Sequence, residues 1–170
     1  MGRKATPVLL ALALVAPTPN ALAQQDPPAA GQPGGVMLRL PVPGACISSP
    51  FGPRRAVGPH AALFHNGVDL PGPPGTWVVA AAAGQVTAVR RLGSSGLEID
   101  IAHGNGFSTR YAHLGSIAPA IAGGAGRVAA GERIGRIGRS GITYGTHLHF
   151  ELHAEGKPVD PAPYLQTHPC

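Results

Sequence analysis

The chain has 170 residues, 44% of them apolar, 12% charged and 5% aromatic, with 25 Gly and 19 Pro. That length supports one domain and leaves little room for two. Lys and Arg outnumber Asp and Glu by 13 to 8, a formal charge of +5, but they form no cluster, so nucleic-acid binding has no support.

Residues 1–23 read as a secretory signal. Arg3 and Lys4 make a basic start, Val8 to Ala16 is an unbroken apolar run, and Ala21-Leu22-Ala23 fits a small-x-small cleavage site. The run is too short to cross a hydrocarbon core, which needs about 20 apolar residues, so no membrane span is expected. Cleavage removes Arg3 and Lys4 and lowers the formal charge to +3. Residues 24–43 read as a Pro/Gly-rich linker with a short apolar strand near Val36–Leu40. The folded domain is assigned to residues 44–170. Cys46 and Cys170 are the two cysteines. In an oxidising compartment an even pair at opposite ends of a small domain reads as a disulfide.

From Gly44 onward the pattern has period 2 with turn punctuation, the signature of strands. Trp77–Val79 and Gln85–Arg90 are strand-like, with Gly84 as a bend or bulge. The Ala80–Ala83 run is too short to be a helix. Leu97, Ile99 and Ile101 alternate with Glu98, Asp100 and Ala102, and Asn105-Gly106 then predicts a tight hairpin. The return strand carries Phe107, Thr109, Tyr111 and His113 on one face. Gly115–Gly126 reads as a small-residue loop, Arg133–Arg139 as another strand, and Gly138–Gly145 as a turn-rich connection. The last strand, Thr146–Ala154, sets Leu148, Phe150 and Leu152 against His147, His149, Glu151 and His153. No stretch of ten or more shows a helical stripe. The expected fold is all-β: antiparallel sheets in a groove-bearing, sandwich-like domain.

The spacing of the eight histidines is more informative than their number. His147 and His149 point apart on a helix but project from one face of a strand. His65 and Asp69, four apart, share a face in either structure, and Gly67 with Pro71, Gly72, Pro73 and Pro74 argues against a helix. Two imidazoles and a carboxylate from separate strands leave a fourth tetrahedral position open, as in catalytic zinc sites. Ligation by nitrogen and oxygen without thiolate suits zinc better than calcium or magnesium. His113 and the remaining member of the 147/149 pair would supply a proton acceptor and an oxyanion donor. Glu151 faces the histidine side as a candidate partner for an imidazole. His103 reads as structural or groove-lining, and His60, His153 and His168 as surface residues.

These residues resemble a known family. His65-x-x-x-Asp69, Tyr111-Ala-His113-Leu and His147-Leu-His149 look like the three motifs of the lysostaphin/LytM-type zinc metallopeptidases. The likeness extends through Ser49-Pro-Phe51-Gly-x-Arg54, His103-Gly-Asn-Gly106, Gly131-Glu-Arg-Ile-Gly135 and Gly156-Lys-Pro. The resemblance implies one zinc per chain on His65, Asp69 and His149, with His113 and His147 as the two catalytic histidines. Arg54 and Asn66 would be candidate substrate contacts. It also implies an exported endopeptidase acting on peptide cross-links of peptidoglycan. The expected location is a Gram-negative periplasm, or outside the cell, and the expected state a monomer. The alternative is a non-catalytic module of the same fold that binds murein or activates an amidase; such relatives typically lack ligands. A cupin-like enzyme fits less well. Gly141-x5-His147-x-His149 imitates half of that motif, but its glutamate is missing at positions 153 and 154. Pro59–Phe64 holds no tyrosine, where lysostaphin-like members carry one.

Overall fold

The computed structural model describes residues 1–2, 38–55, 62–124 and 126–170. The expected signal segment beyond Gly2, most of the linker, and His60 lie outside the described residues. Among those described, the architecture is the expected all-β one, with antiparallel pairing throughout the named strands, one α-helical turn α1 at Pro119–Ala122 and one 3-10 turn at Ala162–Tyr164. None of the described helices is long and apolar enough to cross a membrane.

The strands are β1 (Gly52–Pro53), β2 (Phe64–His65), β3 (Val68–Pro71), β4 (Trp77–Val79), β5 (Gly84–Leu92), β6 (Gly96–Gly104), β7 (Phe107–Ile117), β8 (Arg127–Val128), β9 (Arg133–Ile137), β10 (His147–Ala154) and β11 (Lys157–Val159). β1 and β2 form a small ribbon, and the others make one sheet with the path β11-β10-β7-β6-β5-β8. β10 lies between three partners. One edge of β10 pairs with β7, while the other pairs first with β3 and then with β11. β9 joins the far half of β7 and carries β4.

Strict alternation makes β10 two-faced. Leu148, Phe150 and Leu152 are fully buried and pack with Val68, Leu70, Ile99, Ile101, Tyr111 and Ile134 in one core. The opposite face presents His147, His149, Glu151 and His153, because successive side chains on a strand point to opposite sides. Tyr111 ties the core to the segment after β4: its hydroxyl accepts the Ala81 N–H at 2.8 Å and the Thr109 hydroxyl at 3.0 Å. The β6–β7 turn is the expected hairpin. Asn105 and Gly106 both take left-handed φ, 50° and 75°, as a two-residue loop of the primed type requires.

Three local expectations are corrected. Residues 38–43, read as the end of the linker, pack on the domain, with Leu38 and Val42 buried. Backbone bonds Arg39 N–H to Ala81 O (2.7 Å) and Val79 N–H to Pro41 O (2.9 Å) attach this segment. Gly84 opens β5 instead of bulging it; a Cβ there would lie 2.4 Å from Ala102 O, and the bulge falls between Val86 and Ala88. Thirdly, His113 does not share the Tyr111 face. β7 gains one residue between Tyr111 and Leu114 relative to β6, and His113 takes a φ of 60°. A bulge of this kind re-aims a side chain, here into the groove.

Cys46 and Cys170 are joined as a disulfide. Beside it, Ile47 N–H donates to His168 O at 2.8 Å and Cys170 N–H to Ile47 O at 3.0 Å. The bridge therefore fastens the two ends of the described domain together.

Candidate metal centre and catalytic groove

His65 ends β2 and is 2% exposed. Its Nδ1–H donates to Pro50 O at 2.8 Å, since a carbonyl can only accept, and Nε2 is left as a lone pair. Two residues on, a Cβ at Gly67 would lie 2.2 Å from Phe150 O. Only glycine lets this turn press against β10. β3 then runs in register with β10, so Asp69 stands directly opposite His149. His149 gives its Nε2–H to Glu151 Oε1 at 3.0 Å, which turns the bare Nδ1 toward Asp69.

Three acceptor atoms consequently converge. His65 Nε2, His149 Nδ1 and Asp69 Oδ1 lie 3.0–3.1 Å from one another. Both imidazoles have their N–H groups committed elsewhere, so in their neutral forms no donor stands among the three. Such a triangle repels itself unless a cation sits against it. Tetrahedral ligands about 2.0–2.1 Å from zinc are roughly 3.3 Å apart, close to the spacing here. The donor set therefore fits a zinc ion held by His65, Asp69 and His149.

In the metal-free protein a proton on His149 Nδ1 takes the cation's place and is donated to Asp69 Oδ1; bound zinc would replace it. Burial works to raise the pKa of the Asp69 carboxyl, but hydrogen bonds from His149 and His65 override it and hold the group well below the usual carboxylate range. Burial would lower the pKa of the His149 ring, yet the Asp69 and Glu151 carboxylates hold it up at about 9 in the metal-free protein. Glu151 is held at about 2, its burial outweighed by His149 and His153.

His113 and His147 stand beside the triangle, their ring centroids 5.1 Å apart, with His113 5.9 Å from His149. The His113 Nδ1–H donates to Ser140 O at 2.9 Å, leaving Nε2 as its acceptor. Burial pushes both rings below the ordinary imidazole value, which keeps them neutral at pH 7. His147 Nε2 is 3.5 Å from Asp69 Oδ1. These five residues line one groove of about 510 Å³. Its rim includes the exposed Phe64, Ile142 and Tyr144.

The other candidates divide. Arg54 turns inward, with Nη1 3.2 Å from Ser49 Oγ and 3.8 Å from Asp69 Oδ2. Asn66 is exposed and lines the groove. His103 is structural, bonded to Ala83 O and Thr109 Oγ1 at 2.9 and 2.7 Å, and His168 is exposed. His153 is no free surface residue: its Nε2 lies 2.6 Å from Glu151 Oε2, with Arg110 Nη1 3.5 Å from the same oxygen. Sequence reasoning missed this brace, although the i, i+2 spacing of Glu151 and His153 on the groove face was a visible signal. It also missed Ser140, whose partners are distant in sequence.

The model of "Peptidase family M23" matches residues 63–161, a segment that contains all five groove residues. The chain belongs to peptidase family M23. It is 43% identical over 115 residues to the DD-carboxypeptidase/endopeptidase Mpg of Neisseria meningitidis, covering 68% of this chain and 26% of that protein. This M23 chain thus spans about a quarter of the length of that curated relative. A solved zinc-containing peptidase from Vibrio cholerae is 34% identical with a TM-score of 0.60, over 68% of this chain and 36% of that one. The catalytic domain of the antimicrobial peptidase lysostaphin from Staphylococcus simulans is 25% identical with a TM-score of 0.61, over 71% and 91%. Likeness to lysostaphin across most of its catalytic domain fits the lysostaphin/LytM-type family resemblance in the sequence.

Proposed function

We propose that this M23 chain is an exported zinc metalloendopeptidase that hydrolyses peptide cross-links of peptidoglycan. The observation that carries this reading is the convergence of three acceptor atoms at 3.0–3.1 Å, with two further neutral imidazoles in the same groove. Family membership supports a peptidase, and similarity to the protein named peptidoglycan DD-endopeptidase ShyA of Vibrio cholerae, 39% identical over 120 residues, supports the substrate class. The signal-like N-terminus and the disulfide support a periplasmic or extracellular location.

In this proposal His65, Asp69 and His149 hold one zinc per chain. Zinc, when bound, supplies Lewis acidity that polarises a peptide carbonyl and acidifies water. The chain's own residues do the rest. His113 Nε2, unprotonated and facing the groove, takes the proton of the attacking water and returns it to the leaving amine. His147 steadies the oxyanion from the other side. Glu151 holds His149 in the tautomer that keeps Nδ1 free. Arg54 and Asn66 are proposed to meet the substrate at the groove edge.

The deciding experiment is mass spectrometry of muropeptides after digestion, with and without a chelator. Release of cross-linked dimers to monomers that stops with chelation supports the reading. Murein binding without turnover by the zinc-loaded chain would instead favour a non-catalytic module.

A further inference from the structure

His113 reaches the groove only because β7 bulges, and a left-handed φ at a non-glycine residue persists only where its surroundings over-determine it. Its neighbours do this through one residue of the 138–145 loop. The Ser140 hydroxyl donates to Leu114 O at 2.7 Å and accepts the Leu97 N–H at 2.8 Å. It thereby bridges the two strands on either side of the bulge. The Ser140 carbonyl accepts the His113 Nδ1–H at 2.9 Å. Two more backbone bonds close the frame, from His113 N–H to Ser95 O at 3.0 Å and from Gly138 N–H to His113 O at 3.1 Å.

The loop is pressed against the β5–β6 turn without space between them. A Cβ at Gly96 would lie 2.3 Å from Ser140 C and 2.4 Å from its Oγ, and one at Gly141 would lie 2.3 Å from Ser94 O. Both glycines also have left-handed φ, 66° and 77°. The Ser140 hydroxyl is thus the side-chain link that registers the loop against the sheet, and its carbonyl accepts the ring N–H of His113.

We propose that Ser140 is a positioning residue for His113: its hydroxyl pins the loop so that its carbonyl holds the ring in the Nδ1–H form, with Nε2 facing the groove. This rests on the proposed role of His113, and deepens it. Removing the hydroxyl strands the Leu97 N–H and leaves the loop held at Gly138 and Ile142 by backbone bonds alone, so the Ser140 carbonyl between them loosens. The ring then samples both tautomers and several orientations, and misplacement by about 1 Å can lower a rate by about 100-fold.

The test compares the zinc-loaded wild-type chain with Ser140→Ala, Ser140→Thr and Ile121→Ala, the last a buried control in α1. Histidine ¹⁵N spectra read the His113 tautomer, and hydrolysis of a cross-linked muropeptide dimer gives kcat and KM. The Ser140→Ala variant is expected to hold stoichiometric zinc and show a mixed His113 tautomer. Its kcat should fall about 10-fold or more with KM within about twofold. Ser140→Thr, which keeps the hydroxyl, should recover the spectrum and kcat together. Ser140→Ala with wild-type kcat, or with an unchanged His113 spectrum, overturns the proposal. So does an equal loss of kcat in Ile121→Ala at matched thermal stability. A wild-type chain without hydrolysis would defeat the proposed function, while the tautomer spectra would still judge Ser140.

Discussion

Removing His113 should abolish turnover while leaving the metal in place. The His113 ring centroid is 5.9 Å from that of His149, and its bonded nitrogen is committed to Ser140 O. The His113 side chain gives no hydrogen bond to the His65–Asp69–His149 triangle that His113→Ala would remove, so zinc content should stay near one per chain. Burial pushes the His113 pKa below the ordinary imidazole value, so the neutral base predominates at pH 7. The substitution should therefore show the whole effect of a positioned base, about 10²–10⁴-fold in kcat, or roughly 3–5 kcal/mol in the barrier. His147→Ala should lose about 10²–10³-fold on the same reasoning for an oxyanion donor. The double variant should be little worse than the poorer single, because both act on one transition state. The assay is zinc analysis after mild dialysis, paired with mass-spectrometric turnover of a muropeptide dimer. Zinc loss in either single variant refutes the division into ligands and catalysts. Near-full activity in both refutes the acid–base account.

Other outcomes follow from the same geometry. His65→Ala, Asp69→Ala and His149→Ala should each lose zinc, and retention of stoichiometric metal by one removes it from the ligand set. Reducing Cys46–Cys170, which are 124 residues apart, should lower stability by at most about 5 kcal/mol in the chain-entropy model. Zinc should stay bound, as calorimetry and metal analysis with reductant will tell. Tyr111→Phe should cost about 1–3 kcal/mol, because it strands the buried Ala81 N–H; an unchanged denaturation midpoint contradicts this. The His149 pKa in the metal-free chain is raised from 6.5 to about 9. Its stabilisation is therefore complete below about pH 6.5 and lost as pH rises through about 9, by no more than about 3 kcal/mol. A denaturant series across that range, flat for the metal-free chain, would refute it. The Glu151 pKa is depressed from 4.5 to about 2, so its stabilisation is present above 4.5 and lost on acidification toward 2.

Much of this protein is local and so legible in one dimension. Period-2 alternation in residues 146–154 makes a strand with a buried Leu-Phe-Leu face wherever it is placed. That alone puts His147, His149, Glu151 and His153 on one surface. Asn105-Gly106 dictates its own turn, because both residues must take positive φ. The residues proposed here as ligands and catalysts stand in motifs visible in the sequence. Tertiary structure decided what depends on pairing between distant segments. The register of β3 against β10 sets Asp69 opposite His149, and no local preference encodes a register. Pro50 O and Glu151 choose which nitrogen of His65 and of His149 stays bare. One extra residue in β7, measured against β6, moves His113 from the core face to the groove. Alternation read along the strand put it on the wrong side, because a bulge is a mismatch between two strands and neither strand carries it alone.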